Sequence, residues 1–130
     1  MLENVSLNYV TRVEDDLRGI APEAWDGLLA QQDAPSPFMR HAYLSALHTS
    51  GSAVPETGWT LQVLSLWRDT PTGPRLAAAC PLYLKTHSRG EYVFDHAWAD
   101  AYERHGLNYY PKALVASPFT PVPGSRLLAE

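Results

Sequence analysis

Two apolar runs joined by a short turn do most to limit what this chain can fold into. Residues 59–68 are rich in Leu, Val and Trp, residues 76–85 repeat that character, and Thr70-Pro71-Thr72-Gly73-Pro74 between them has turn chemistry. The pattern predicts an antiparallel hairpin. Its second arm opens Leu76-Ala77-Ala78-Ala79-Cys80, apolar or small on both faces, and so reads as a central strand. Pro81 cannot donate to a ladder and marks either a bulge or the end of regular pairing.

The flanking segments supply partners for that hairpin. Val5, Leu7 and Tyr9 alternate with Ser6, Asn8 and Val10, the period of a strand with one buried face that ends near Val13. Residues 22–32 place Trp25, Leu28 and Leu29 at helical spacing behind a first-turn Pro22. Ser36-Pro37 opens a second helix, with Phe38, Tyr43, Leu44 and Leu47 on one face and Gly51 as terminator. Glu91-Tyr92-Val93-Phe94 reads as a brief strand. Asp95 then caps a helix whose Phe94, Trp98, Ala101, Tyr102 and His105 share a face before Gly106, with Asp100 and Arg104 able to pair. Leu114-Val115-Ala116 forms the last strand. The order β-α-α-β-β-β-α-β is an α/β fold of the α+β kind, a mixed, mostly antiparallel sheet flanked by helices. No repeat, low-complexity tract or linker interrupts the 130 residues, which read as one domain burying about two thirds of its unfolded surface.

Composition excludes several function classes. At 45% hydrophobic and 18% charged residues the chain has the makings of a packed core and is not disordered. A net charge of −4 leaves no basic excess to neutralise DNA phosphates. The lone Cys80 lies in an apolar run and reads as a small buried hydrophobe, which predicts a reducing cytoplasm. The first residues lack the flanks and core of a secretion signal, and no run nears the ~18 apolar residues of a membrane span. His41 and His48 would stand roughly 10 Å apart along a helix and no metal-binding spacing occurs, so no metal is expected. Trp25, Trp59, Trp67 and Trp98 read as core residues rather than a stacking platform.

Residues suited to chemistry cluster in the last third. Glu91 and Asp95 flank a short apolar segment on one face, where a half-buried carboxylate could have a raised pKa and act as a base; the alternative is a cap for Asp95 and a solvent-facing Glu91. His87 and His96 are further candidates, though a lone histidine is more often packed or exposed. Residues 118–126 form a loop stiffened by Pro118, Pro121 and Pro123 that carries Thr120 and Arg126. Lys112 and Arg126 on either side of it could hold a carboxylate or phosphate, and Tyr109 and Tyr110 could add a hydroxyl. The plainer readings are a rigid surface connection and half-buried strand tyrosines.

The element order, with the words Ala79-Cys80-Pro81-Leu82-Tyr83-Leu84-Lys85, His87-Ser88, Gly90-Glu91-Tyr92-Val93-Phe94-Asp95, Trp98-Ala99-Asp100-Ala101-Tyr102, Tyr109-Tyr110-Pro111-Lys112 and Pro118-Phe119-Thr120-Pro121-Val122-Pro123-Gly124, resembles the GNAT acyltransferase superfamily. Within it, the chain is similar to predicted bacterial N-acyltransferases related to Fem-type peptidoglycan aminoacyltransferases. The resemblance implies transfer of an acyl or aminoacyl group from an activated carrier, acyl-CoA or aminoacyl-tRNA, to a small-molecule or peptide amine. In that reading Glu91 and Asp95 are catalytic, while Lys112, Thr120, Arg126 and Tyr110 bind substrate. A binding module that recognises a peptide or cell-wall precursor is the alternative.

Family members are longer, and the resemblance stops in Arg126-Leu127-Leu128. The chain is therefore expected to be the N-terminal part of such a protein, inactive alone and prone to self-association through uncovered sheet surface. The glycine-bearing turn that cradles pyrophosphate is not visible, since Arg104-His105-Gly106 lacks a second small residue at the right spacing.

Overall fold

A computed structural model describes residues 8–130. The first strand, β1 (Tyr9–Glu14), is followed by helices α1 (Pro22–Ala30) and α2 (His41–Thr49), then strands β2 (Trp59–Thr70) and β3 (Gly73–Lys85), helix α3 (His96–Arg104), β4 (Lys112–Val115) and β5 (Leu128–Ala129). The sheet runs β1-β2-β3-β4, wholly antiparallel, with β5 also pairing β3. The predicted α+β class, a mostly antiparallel sheet flanked by helices, is the fold observed.

The predicted hairpin closes through Pro71 and Thr72, with Thr70 opposite Gly73. β3 is central, paired with β2 on one edge and with β4 and β5 on the other. Pro81 is neither a bulge nor an end, because it stays in register with Val63 and pairing continues to Lys85 opposite Trp59. Its carbonyl accepts from Ala116 N, so its missing N–H also falls on the β4 side, past the last β4 residue, and no bond to β2 is lost. The irregularity lies instead between Leu66 and Trp67, opposite Ala77.

Helices α1 and α2 cover one face of the sheet. Trp25, Leu28, Leu29 and Leu44 pack there on Leu61, Val63, Ala79, Tyr83 and Leu128. α1 ends at Ala30, with Gln31 as its cap, rather than at Gln32. The predicted second helix is two pieces: a 3-10 turn (Pro37–Met39) capped by Ser36, an extended Arg40, then α2. Trp25 Nε1 donates to the Met39 carbonyl at 2.7 Å, and Asp26 accepts from His41 N at 2.9 Å, which fixes that break against α1. Gly51, in the left-handed region, ends the segment as predicted.

The other sheet face carries Leu64, Leu66, Ala78 and Cys80, and with Leu127 and Ala129 they line an apolar groove of about 290 Å³. β1 does not bury a face as predicted: Tyr9, Val10 and Val13 are exposed, because it is an edge strand with no helix laid against it. Val5 and Leu7 lie outside the described residues.

Three expectations for residues 91–105 fail. Residues 91–94 are not a strand: Tyr92 adopts φ +58°, and the Glu91 side chain turns into the protein. α3 forms where predicted but buries none of its residues, and Trp98 is 67% exposed rather than core. Arg104 bonds the backbone carbonyl of Asp100, not its carboxylate.

Candidate functional site

At the end of the β3–β4 ladder the sequence places two lysines opposite each other, Lys85 on β3 and Lys112 on β4. Like charges at directly opposed positions repel. The chain leaving β3 offsets this by turning back through Gly90 and inserting Glu91 between them. Glu91 Oε2 lies 3.3 Å from Lys85 Nζ and Oε1 lies 2.6 Å from Lys112 Nζ, with the Glu91 side chain only 3% exposed. Gly90 has φ +81°, and a Cβ there would stand 2.7 Å from the Phe119 ring and 3.0 Å from Trp59, so the turn requires glycine.

Lys85 is fully buried, with its ammonium 2.7 Å from the Arg89 carbonyl and 3.5 Å from the centre of the Trp59 ring. Burial lowers its pKa, opposed by the Glu91 carboxylate. Lys112 differs. Its ammonium donates to Asp95 Oδ2 at 2.5 Å, Glu91 Oε1 at 2.6 Å and Ser88 Oγ at 2.9 Å, which uses all three of its donors. Burial works to lower the Lys112 pKa as well, but the bonds to Asp95 and Glu91 prevail and raise it.

Asp95 stands at the N-cap position of α3, yet its side chain does not cap the helix. One oxygen accepts from both Lys112 and Tyr109 (2.6 Å); the other is buried and has no partner. Burial by itself would raise the Asp95 pKa, but the hydrogen bonds from Lys112 and Tyr109 hold it well below the usual carboxylate range. The predicted raised pKa is thus reversed at Asp95, and an ionised carboxylate of such low basicity is ill-suited to take a proton near neutrality. Tyr110 completes the cluster through a 2.6 Å bond with Ser88 Oγ, which gives a continuous run Tyr110–Ser88–Lys112–Asp95–Tyr109.

Glu91, Asp95, Lys112 and Tyr110 are therefore brought together; Thr120 and Arg126 are not part of this cluster. Thr120 Oγ1 lies 3.3 Å from the Tyr43 hydroxyl of α2, and Arg126 donates to the carbonyls of Val122 (2.5 Å) and Gly124 (3.2 Å) within its own loop. The proline loop meets the cluster only at its start, where Phe119 N bonds the Gly90 carbonyl and the Phe119 ring packs on Trp59. His87 is a structural pin, with Nε2 2.8 Å from the Thr57 carbonyl and Nδ1 accepting from Arg89 N. His96 is exposed at the start of α3. Among the described residues no three His, Cys, Asp or Glu side chains are grouped to hold a metal ion.

Lys85 and Ser88 are the members that sequence reasoning missed as site residues. A signal was present for Lys85: a lysine closing an otherwise apolar central strand must either snorkel or find a partner.

An antiparallel α+β sheet with helices against one face and a charged cluster at a strand end is consistent with a GNAT-like acyltransferase architecture. The family described as FemAB-like, peptidoglycan biosynthesis/recognition, matches residues 16–130, and the chain belongs to it. That membership supports an acyltransferase-type function in general terms. Comparison with curated proteins and with solved structures returns no match. Among the described residues no helix is long and apolar enough to cross a membrane.

Proposed function

We propose that this chain contributes the amine-binding part of an N-acyltransferase of the Fem-like branch. The donor is an activated carrier, an acyl-CoA or an aminoacyl-tRNA, and the acceptor is a small-molecule or peptide amine. The observation that carries the reading is the run Tyr110–Ser88–Lys112–Asp95–Tyr109, closed on its inner side by Glu91, in a chain of this family.

In such a transfer the acceptor nitrogen bonds the acyl carbon, the bond to the carrier breaks, the nitrogen loses a proton, and the carrier's sulfur or oxygen gains one. Asp95, kept ionised, is suited to accepting a hydrogen bond from the acceptor amine rather than deprotonating it; an acceptor that arrives as an ammonium releases its extra proton to solvent before its nitrogen attacks. The Tyr110 hydroxyl is a donor suited to the carbonyl oxygen as charge develops on it, with Ser88, itself held by Lys112, positioning that hydroxyl. Glu91 holds Lys112 in place. Thr120 and Arg126 shape the proline loop.

The test incubates the natural protein that carries this chain with acetyl-CoA or alanyl-tRNA and a lysine-containing peptide, and follows acylated peptide by mass spectrometry. Transfer that falls at least a hundredfold in Asp95→Asn and Lys112→Met supports the reading. Peptide binding with no transfer from either donor favours the second reading, a recognition module, which has its own support: Glu91 and Asp95 are both paired with lysine, leaving neither free as a base.

A further inference from the structure

Residues 92–108 leave the body of the protein at Glu91 and return to it at Tyr109. Both roots are firm: Glu91 is wedged between two lysines, and the half-buried Tyr109 packs edge-on against Tyr110. Between the roots the chain is nearly all exposed, including Tyr92, Val93, Phe94 (86%), Trp98 and Leu107. α3 buries nothing, and its remaining polar contacts stay local: Trp98 N and Ala99 N to the Asp95 carbonyl, Arg104 Nε to the Asp100 carbonyl, and Leu107 N to the Tyr102 carbonyl.

Among the described residues, Asp95 is the one member of this stretch hydrogen-bonded outside it, to Lys112 and Tyr109. The Tyr102 ring adds an edge contact to Tyr109. Left-handed residues stand close to each root, Tyr92 at φ +58° and Gly106 at φ +72°. An isolated helix of nine residues is marginal in water, because nucleation costs more than so few hydrogen bonds return. The helix therefore depends on what holds it down.

We propose that residues 92–108 form a hinged strap latched to the sheet by the Asp95 carboxylate on Lys112 and Tyr109. Release of the latch removes one of the two carboxylates from Lys112, opens the Lys112–Glu91 pair and Ser88 to solvent, and melts α3 as the strap lifts. Access to the cluster is then gated by a single side chain. The inference does not depend on which reaction the cluster serves.

Amide hydrogen exchange of the whole chain, read by mass spectrometry at neutral pH, tests it. In the wild type, amides of residues 97–108 are expected to exchange together and at least a hundredfold faster than those of β2 and β3. Asp95→Ala should speed the strap about a further tenfold and leave β2 and β3 unchanged, with Tyr109→Phe intermediate. Strap amides as slow as the sheet in the wild type overturn the proposal. So does a strap rate unmoved by either substitution, or a rise shared equally by the sheet. If Asp95→Ala does not fold, Tyr109→Phe, which keeps the ring contact, and the wild-type pattern decide.

Discussion

Lys85 and Lys112 are direct cross-strand partners, and Glu91 closes the gap between their ammonium groups at 3.3 and 2.6 Å. Removing that charge leaves the buried Lys85 ammonium with no carboxylate, opposite a Lys112 still held by Asp95. Glu91→Gln is expected to cost about 3–5 kcal/mol, the range for breaking a buried pair on one side. The double variant Glu91→Gln/Lys85→Met should recover much of the loss, since Lys85 then no longer needs a counter-charge. Urea unfolding of the two variants checks this, and a loss below about 1 kcal/mol in Glu91→Gln would mean that water already solvates the lysines.

Stability should fall on the acid side for a reason traceable to Asp95. Its folded pKa lies below the ordinary value of 3.8, so the unfolded chain binds the proton more readily. The contribution is fully present above about pH 4–5 and is lost as pH falls through the folded pKa. Lys112, raised above 10.5, contributes stability that is present below that value and lost as pH climbs past the folded pKa. Lys85, lowered by burial, acts in the opposite sense over the alkaline range, where its penalty is relieved as it deprotonates. Asp95→Asn should accordingly flatten the acid limb of melting temperature against pH and also bring the alkaline limb to lower pH, because the Asp95 carboxylate is part of what raises Lys112. An unchanged acid limb assigns the titration to other carboxylates.

The hairpin, the central place of β3 and both sheet-covering helices were legible in the sequence, because apolar periodicity reports burial directly. What periodicity cannot report is where a side chain goes when electrostatics outweighs local preference. Glu91 and Phe94 have the composition of a strand, yet the demand of two lysines for a counter-charge pulls Glu91 inward and breaks the extension. Asp95 occupies the cap position its spacing predicts, but Lys112 and Tyr109 offer its carboxylate more than the helix amides do. Trp98 sits at core spacing on α3 and stays exposed, since a helix pattern shows which residues share a face but not whether anything packs on it.

Two glycines give opposite expectations. Gly90→Ala puts a Cβ into Phe119 and Trp59 at a left-handed position and should destabilise by about 1–3 kcal/mol. Gly27→Ala lies within α1 with nothing within 4 Å of the new methyl, and should stabilise by about 0.5–1 kcal/mol. Thermal melts of the two variants decide. Equal effects would mean that the Gly90 turn relaxes without strain.

The sheet face opposite α1 and α2 presents Leu64, Leu66, Ala78, Cys80 and Leu127 around an apolar groove. Exposed apolar surface of this kind drives association. The isolated chain should therefore show a mass that rises with concentration in light scattering, and Leu66→Lys should lower it. A monomer across the accessible concentration range removes that expectation.

Arg126 reaches back over its own loop, and its two bonds to the Val122 and Gly124 carbonyls make it a clasp on a segment already stiffened by three prolines. The loop is otherwise tied down by Ser117 to the Phe38 carbonyl, Thr120 to Tyr43 and Ser125 N to the Ala34 carbonyl, so it covers the break between α1 and α2. Arg126→Ala is expected to cost about 1 kcal/mol, less than a fully buried charged bond because the guanidinium is only partly covered. It should also raise the exchange rate of Ser125 N–H. Arg126→Lys should restore part of this, since an ammonium supplies charge but not the planar fork that spans two carbonyls. If Arg126→Ala leaves stability and Ser125 exchange unchanged yet weakens binding of an anionic peptide, then Arg126 belongs to substrate rather than to the loop, and its intraloop bonds describe only the unliganded chain.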